Sequence, residues 1–348
     1  MKSKNSATLT DSADYFLDKL RELHFKIRDI TLEQLRSQES KLEELSKVGE
    51  IGAGDVAYKI DLPAEEVLDE FCTRWSEEVP LVLVSEKTGK RVYSRNMKED
   101  ECEIRLIVDP LDGTREIMYN KERAWVLSGI APNKGPNTSL DDIEITMQTA
   151  VRTTRESIDD QFYAVKGRKP VREVWDIDER KKIKELSITP SKAKTVEHGF
   201  FPIISYFEGF KGLIGGLSDT LWERTVGQVE RGRAKIFDDQ YISSAGELAY
   251  TFTGIYRGVI DIRPLIEIMG GKTPGLCSHP YDLCTKLIAE QAGCMVNCYA
   301  VYPDGRIERK VPLDAETNVA FIVYANKDIE AQVDPALKLI LKERGVSM

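Results

Sequence analysis

The chain has 348 residues and a formal net charge of −9, with 49 Lys and Arg against 58 Asp and Glu. Hydrophobic residues make up 41% and charged residues 31%, which is typical of a folded domain and unlike a disordered chain. The negative charge argues against unspecific binding to a nucleic-acid polymer or an anionic membrane. No apolar run approaches the ~18 residues of a membrane-spanning helix, and no apolar segment follows the basic start, so neither a membrane anchor nor a secretory signal is expected.

The cysteines are scattered, and a chain of this length does not need a disulfide framework. Reduced thiols in the cytoplasm are the simplest interpretation. Cys294 and Cys298 lie four apart, but no second pair or nearby His completes a zinc pattern, so a structural zinc is not expected. The six cysteines are Cys72, Cys102, Cys277, Cys284, Cys294 and Cys298.

In the first half of the chain, helical and strand patterns alternate. Apolar residues at three- to five-residue steps predict a long amphipathic helix over 12–48. A short strand is expected in DVAYKID (55–61), and Pro63 opens a helix over 64–76. Short apolar runs predict further strands at 80–85, 103–109, 124–130, 143–152 and 161–165.

A charged run at 176–184 (DIDERKKIK) is a candidate boundary, and we divide the chain into an N-terminal half, 1–190, and a C-terminal half, 191–348. The second half again mixes both patterns, so the class is α/β or α+β in layers. Its predicted helices cover 204–217, 220–231, 243–253, 280–292 and 329–344. Its predicted strands cover 258–262, 295–300 and 319–324.

Acidic residues stand just beyond apolar runs or at helix starts, where side chains point into the mouth of a fold. Several carboxylates in one place repel each other and bind protons unless cations neutralise them. Hard cations such as Mg²⁺ suit such oxygen ligands. The acidic residues in this setting are Asp61, Glu86, Asp109, Asp112 and Asp282.

The most informative segment is IVDPLDGT, residues 107–114. A strand delivers Asp109 to the sheet edge, and Pro110 fixes the backbone so that the Leu111 carbonyl can turn toward the same point. Asp112 adds a second carboxylate three residues on. One segment could therefore supply several metal ligands. The alternative is a simple turn, since Asp, Pro and Gly all favour turns.

The end of this segment is suited to phosphate. Gly113 permits close approach of the backbone to a ligand, and Thr114 offers a hydroxyl at the start of a short helix. Free N–H groups at a helix start attract phosphate. Asp61 also stands at a helix start, where the alternative to a functional role is a cap for that helix.

DPLDGT resembles the signature of the inositol monophosphatase-like, lithium-sensitive phosphatases, a superfamily that includes fructose-1,6-bisphosphatases and bisphosphate nucleotidases. The D-x5-D segment ending at Asp61 and a Glu after a short strand, Glu86, stand in the expected order. YDLCT (281–285) stands in place of the usual WDxAAG, and a helix similar to the family's follows it. The resemblance covers about 12–323. It implies an α+β fold of layered α/β/α/β/α sugar-phosphatase type, with the site between the two halves.

The resemblance also implies a role for each matching residue. Asp61 and Thr114 resemble the pair that orients and deprotonates the attacking water, with Glu86 in the same catalytic set. The substrate-binding residues would be Gly113, Thr114, Asp112 and Arg263. Two or three Mg²⁺ ions would be bound by Glu86, Asp109, the Leu111 carbonyl, Asp112 and Asp282.

Three departures from the family pattern bear on the substrate. Lys87 replaces a second acid after Glu86, and Tyr281 replaces Trp before the late Asp. The acid that binds inositol is absent after Asp261, where Arg263 lies instead. Arg263 suits a second phosphate or a carboxylate on the substrate, or is a surface residue without a role. A sugar bisphosphate or nucleotide bisphosphate is therefore at least as well supported as an inositol phosphate.

The sequence predicts a Mg²⁺-dependent phosphomonoesterase that hydrolyses a small phosphorylated metabolite with metal-activated water. From the family we expect inhibition by Li⁺ and a homodimer. The alternative is a catalytically silent phosphate- or metal-binding regulatory protein on the same scaffold, which the changes at Lys87 and Tyr281 motivate. A calcium-stabilised structural protein is disfavoured because DPLDGT lacks the EF-hand spacing.

Overall fold

The computed structural model describes residues 9–38, 42–51, 56–228, 230 and 232–348. The first helix, α1 (Ala13–Ser37), ends eleven residues before the predicted end at 48. After a single further turn, α2 (Leu42–Leu45), the chain enters a hairpin of β1 (Val48–Ile51) and β2 (Val56–Tyr58). The single long helix is therefore wrong beyond Ser37: the described residues that follow form a separate helical turn and then, from Val48, a paired strand. Asp55, the first residue of the strand expected at 55–61, lies outside the described residues.

Helix α3 (Leu62–Trp75) follows the hairpin and agrees with the predicted helix. The chain then builds one eight-stranded sheet in the order β10-β9-β8-β7-β6-β5-β3-β4, in which β3 and β5 are parallel and all other neighbours antiparallel. The strands are β3 (Leu81–Ser85), β4 (Gly89–Tyr93), β5 (Ile104–Asp112), β6 (Ala124–Pro132), β7 (Ile145–Val151), β8 (Ile158–Val165), β9 (Val171–Asp176) and β10 (Lys181–Ser187). The one-turn helix α4 (Thr114–Ile117) directly follows β5.

The charged run at 176–184 is the turn and first part of β10, a fully exposed edge strand, so its charges face solvent. This segment shows no alternation of apolar and polar residues, because neither face of β10 is buried. The division of the chain at 190 stays a prediction. No helix in the described ranges is both long enough and apolar enough to cross a bilayer.

The second half builds an antiparallel four-stranded sheet, β13-β16-β14-β15, and the parallel pair β11-β12. Its elements, in chain order, are β11 (Gly199–Phe200), α5 (Lys211–Val226), β12 (Ile236–Phe237), α6 (Ser244–Phe252), β13 (Gly258–Asp261), α7 (Arg263–Met269), α8 (Lys286–Ala292), β14 (Met295–Val301), β15 (Ile307–Glu308), β16 (Asn318–Tyr324) and α9 (Lys327–Glu343).

Two helix predictions in this half are wrong in position. Residues 204–210 are not helical, because Gly209 and Phe210 adopt left-handed backbone conformations (φ +91° and +55°) just before α5 begins. One helix, α5, then replaces the two predicted over 204–231. Residues 280–285 form turns, so α8 is shorter than the predicted helix and begins only at Lys286.

The elements stack as five layers. Helices α1 and α3 cover one face of the large sheet, and α6 and α8 lie between the large and small sheets. Helices α5, α7 and α9 cover the far face of the small sheet. Strand alternation produces this arrangement: in β5, Leu106 and Val108 face the α1 layer, whereas Ile107 faces the α6 layer. The inner strands of the large sheet are therefore buried on both faces, whereas its edge strands β4 and β10 are exposed.

The parallel pair of strands β3 and β5 places the site. Ser85 lies opposite Val108, the last pair between these strands, so the next residues, Glu86 and Asp109, lie at the same edge of the sheet. Strands β5 and β6 continue past this edge, and the N-terminus of α6 approaches it from the middle layer.

Candidate metal and phosphate site

Three aspartates come together at this edge of the large sheet. Carboxylate oxygens of Asp109, Asp112 and Asp282 all lie within 4.8 Å of one another. Asp109 and Asp112 are 2% and 8% exposed, and Asp282 is partly buried. The structure thus joins residues from both halves of the chain in one acidic cluster, which we call the aspartate cluster.

A bulge in β5 explains how Asp109 and Asp112 share one side. Residues three apart on a regular strand point to opposite faces. Here Asp109 lies opposite Leu127 and Asp112 opposite Trp125, so β5 has one residue more than β6 between these pairs. The Leu111 N–H donates to Asp109 Oδ1 at 3.0 Å and holds the bulge. The DPLD spacing therefore places both carboxylates toward Asp282.

Burial and mutual repulsion make the aspartate cluster electrostatically costly. Burial, and then the charges of Glu86, Asp112 and Asp282, raise the pKa of Asp109 well above its usual value. Burial raises the pKa of Asp112 to about 6, although hydrogen bonds to its carboxylate oppose the rise. Burial and the Asp112 charge likewise raise the pKa of Asp282. Nearby positive charge would relieve all three.

The N-terminus of α6 fixes Asp112. The Ser243 hydroxyl and the Ala245 N–H both donate to Asp112 Oδ2 at 2.7 Å, and Ser243 Oγ caps α6 by accepting from the Gly246 N–H. Sequence reasoning did not name Ser243 as a site residue. Its cap position at the start of a predicted helix was visible, but nothing local indicated that Asp112, 131 positions away, would be its partner.

Asp61 and Thr114 form a direct pair. Thr114 Oγ1 lies 2.9 Å from Asp61 Oδ1 and 2.8 Å from the Leu111 carbonyl oxygen. The hydroxyl has one proton, so it donates to one of these acceptors at a time. The Tyr58 N–H donates to Asp61 Oδ2 at 2.7 Å and orients the carboxylate. The structure thus brings together the two residues to which the sequence assigned water activation.

The alternative reading of Asp61 as a helix cap is wrong. Asp61 does precede α3, but its backbone is already helical (φ −78°, ψ −29°), and its side chain accepts no hydrogen bond from the helix. Both carboxylate oxygens instead face Tyr58 and Thr114.

Glu86 lies at the rim rather than inside the aspartate cluster. It is the first residue after β3 and is exposed. Its charge is close enough to raise the pKa of Asp109, second only to burial among the causes. Among the described residues, the three-aspartate set within 4.8 Å does not include it.

Glycine is the only residue type that fits position 113 without strain. Its φ of +91° is left-handed, and an added Cβ would lie 3.3 Å from Ser243 Cβ and 3.4 Å from Ala124 Cα. Gly113 precedes α4, whose first N–H groups have no acceptor within the helix. The close packing of α6 against this turn therefore requires glycine.

The similarity of this chain to known proteins is structural. No family model matches it, and no curated protein matches its sequence. A fructose-1,6-bisphosphatase from Leishmania major in holo form aligns with a TM-score of 0.63 at 14% identity, over 98% of this chain and 100% of that one. The protein suhB from Bartonella henselae aligns with 0.59 at 14% identity, over 93% and 98%. An IMPase from Thermotoga maritima aligns with 0.57 at 15% identity, over 94% and 99%.

The chain has the inositol monophosphatase-like fold. The predicted α+β class and five-layer order are thereby confirmed. At 14–15% identity these structures show the fold alone. What the inositol monophosphatase-like scaffold does in this chain has to be argued from its own residues.

On this inositol monophosphatase-like scaffold, Arg263 is buried, so its interpretation as a surface residue is wrong. Its guanidinium forms a two-bond pair with Asp261, at 2.8 and 2.6 Å, and donates to the Leu276 carbonyl at 2.9 Å. Tyr206 and Phe207 stack near it, with ring centroids 4.7 and 5.6 Å from the guanidinium carbon. Burial raises the pKa of both Asp112 and Asp282, and the positive charge of Arg263 partly opposes that rise.

Residues 279–282 of the inositol monophosphatase-like scaffold form a turn that fixes Asp282. The His279 N–H donates to Asp282 Oδ2 at 2.6 Å, and the ring of Tyr281 stacks on that of His279 with centroids 5.2 Å apart. Tyr281 is buried. The residue in place of the usual Trp thus supports the turn that carries Asp282.

The donor chemistry of the aspartate cluster fits hard divalent cations. It offers only oxygen ligands, and their raised pKa values reflect burial and mutual repulsion, which a bound cation would offset. The Leu111 carbonyl beside Thr114 is a further oxygen at the same edge. This fit concerns the type of ion and leaves the number of ions open.

We expect added Mg²⁺ or Mn²⁺ to raise the melting temperature more at about pH 7.5 than at about pH 5. The folded pKa of Asp112, about 6, lies above its unfolded value. Protonation of Asp112 therefore stabilises the folded, metal-free protein against unfolding at low pH, and this contribution is lost as the pH rises through 6. A bound cation offsets the loss. Scanning calorimetry with metal or EDTA at both pH values tests this, and an equal shift at both would contradict it.

Proposed function

We propose that the chain is a phosphoric monoester hydrolase that uses divalent cations and acts on a small phosphorylated metabolite. The observation that carries the proposal is the position of the Asp61–Thr114 pair beside the aspartate cluster. A water-activating pair next to a cation site is what hydrolysis of a phosphate ester needs.

The aspartate cluster would hold two or three Mg²⁺ ions together with the Leu111 carbonyl and, at the rim, Glu86. Bound there, the ions would supply charge compensation for the phosphate and for the leaving oxygen. The charge of Glu86 at Asp109 supports a site that extends toward the rim.

The residues of the chain itself would position the reactants. Asp61, held by the Tyr58 N–H, would accept the proton of the attacking water, and the Thr114 hydroxyl would orient that water. The Gly113 and Thr114 N–H groups would bind the phosphate at the start of α4. Asp112 stays a proposed substrate contact beside them.

The substrate we propose carries a second anionic group. The stretch 262–265 after Asp261 contains no acid of the kind expected to bind inositol, which disfavours myo-inositol monophosphate. Arg263 lies close enough to influence Asp112 and Asp282. Asp261 binds one edge of the guanidinium, and the Leu276 carbonyl and the Ser278 hydroxyl bind the other, so Arg263 would contribute mainly through its positive charge. A sugar bisphosphate and a nucleotide bisphosphate both meet this requirement.

Phosphate release from a panel of compounds tests the proposal. The panel is inositol monophosphates, fructose 1,6-bisphosphate, adenosine 3′,5′-bisphosphate and 2-phosphoglycerol, each with Mg²⁺ and with EDTA. We expect Mg²⁺-dependent turnover, fastest with a bisphosphate. Li⁺ inhibition can be read in the same assay.

The second candidate is a silent phosphate- or metal-binding regulator, which Lys87 beside Glu86 favours. It predicts that a phosphate ligand binds but is not hydrolysed with any divalent cation. Calorimetric titration of the same compounds, read beside their hydrolysis, separates the two functions.

We also propose a cellular location and an oligomeric state, neither of which affects the proposed reaction. All six cysteines are free thiols, which supports a reducing, cytoplasmic setting. A homodimer is proposed from the family resemblance, and light scattering of the purified chain would test it.

A further inference from the structure

One buried tyrosine joins the N-terminus of α6 to strand β6. Tyr241 lies two residues before the Ser243 cap of α6 and is buried. Its hydroxyl accepts from the Trp125 indole N–H at 2.8 Å and donates to the Arg123 carbonyl at 2.5 Å. Trp125 is the second residue of β6, and Arg123 directly precedes that strand. The hydroxyl therefore ties the start of α6 to the start of β6.

Trp125 is also the residue of β6 that lies opposite Asp112. Asp112 is thus supported from two elements, because the Ser243 hydroxyl and the Ala245 N–H of α6 both donate to its Oδ2. Tyr241 connects the two supports: it bonds to Trp125, and its carbonyl accepts from the Ser243 N–H at 2.8 Å. A displacement of α6 from β6 would therefore move both donors away from Asp112.

The ring of Tyr241 packs directly on the backbone of α6. A Cβ added at Gly246 would lie only 2.0 Å from Tyr241 Cε1, so a glycine is required for the ring to come this close. The Gly246 N–H donates to Ser243 Oγ at 2.9 Å in the same helical turn. Burial raises the pKa of Tyr241 well above its usual value, so the hydroxyl stays protonated and able to donate. Ring and hydroxyl together hold the first turn of α6 against β6.

We propose that Tyr241 is a positioning residue that holds the first turn of α6 so that Ser243 and Ala245 donate to Asp112. Both donors bind the same oxygen, so together they fix the orientation of the carboxylate. The inference rests on the proposed metal role of Asp112. Tyr241 would affect cation binding through these donors and not by contact with the ion.

The test is a titration of the full-length chain with Mn²⁺, followed by electron paramagnetic resonance well below the melting temperature. Tyr241→Phe removes the hydroxyl alone. We expect it to weaken Mn²⁺ binding by about tenfold, since partners that orient a metal ligand typically have effects of this size. It also leaves the Trp125 N–H and the Arg123 carbonyl without this partner, so the melting temperature should fall.

Tyr324→Phe is the matched control. Tyr324 is a fully buried tyrosine of β16, and its hydroxyl donates to Asp334 Oδ1 of α9 at 3.2 Å, in the layer beyond the small sheet. Loss of this hydroxyl should also lower the melting temperature but leave the Mn²⁺ affinity unchanged. A purely structural role of Tyr241 would instead give both variants the same Mn²⁺ affinity.

A double variant with Ser243→Ala makes the test decisive. If Tyr241 acts through the donors on Asp112, Tyr241→Phe and Ser243→Ala together should cost less Mn²⁺ affinity than the product of the two single losses. Losses that multiply fully overturn the inference. So does a Tyr241→Phe affinity within about twofold of the original chain, or an equal loss in Tyr324→Phe.

Two further outcomes are covered. Trp125→Phe removes the other partner of the same hydrogen bond, so it replaces Tyr241→Phe if that variant does not fold, with full Mn²⁺ affinity again overturning the inference. Because Mn²⁺ binding needs no turnover, a chain that shows the expected pattern but releases no phosphate would contradict the proposed function and leave the positioning role intact.

Discussion

Replacing Asp109 with Asn is expected to lower Mg²⁺-dependent phosphate release by about a thousandfold or more, comparable to the loss of a major electrostatic group. Asp109 is the most enclosed member of the aspartate cluster and feels the charges of Glu86, Asp112 and Asp282. An amide keeps the shape but removes the negative charge that a divalent cation requires. Steady-state release from the best compound of the panel measures the effect.

Stability provides the control for this variant. Asn at 109 relieves like-charge repulsion, so the metal-free melting temperature should stay level or rise, while the shift caused by Mg²⁺ should shrink. Asp304→Asn, on an exposed loop, should change neither activity nor the Mg²⁺ shift. Full activity in Asp109→Asn would contradict the assignment.

Replacing Asp61 with Asn is expected to lower kcat by about a hundredfold to ten-thousandfold, the range for loss of a general base. The amide oxygen can still accept from the Tyr58 N–H, so the local structure should persist. KM should change little, because Asp61 is not proposed to bind the phosphate. Initial rates across substrate concentrations separate the two constants.

Glu66→Gln is the matched control for Asp61. It lies in the same first turns of α3, and its side chain is exposed, so its kinetics should equal those of the original chain. Thr114→Ala should also lower kcat. In the double variant with Asp61→Asn the loss should be smaller than the product of the two single losses, because the two side chains share one hydrogen bond. A fall in kcat/KM through KM alone would assign Asp61 to binding instead.

Much of the fold follows from local pattern. Buried strands such as β3 and β5 show as apolar runs, and α6 shows its Ser cap. Edge strands do not: β4 and β10 are polar and exposed, so no periodicity reveals them. The overlong first helix has the same origin. Apolar residues recur past Ser37 and form a separate helical turn, and from Val48 the chain pairs with β2, a contact that local spacing does not show.

The site residues could be predicted from the sequence where several of them lie within one short motif. DPLDGT contains Asp109, Asp112 and Thr114, and the structure places these beside Asp61 and Asp282. What the sequence could not show are contacts between distant segments. The contact of Ser243 with Asp112 arises only once the layers pack, and the bulge that aligns the two motif aspartates depends on the register of β6.

We propose above all that Asp109, Asp112 and Asp282 form a divalent-cation site. Anomalous diffraction from crystals of the full chain soaked in Mn²⁺ tests it most directly. We predict at least one strong anomalous peak among the three carboxylates, lost in crystals of Asp109→Asn. A Mn²⁺-saturated crystal with no peak there, or with peaks only elsewhere on the chain, would contradict the account.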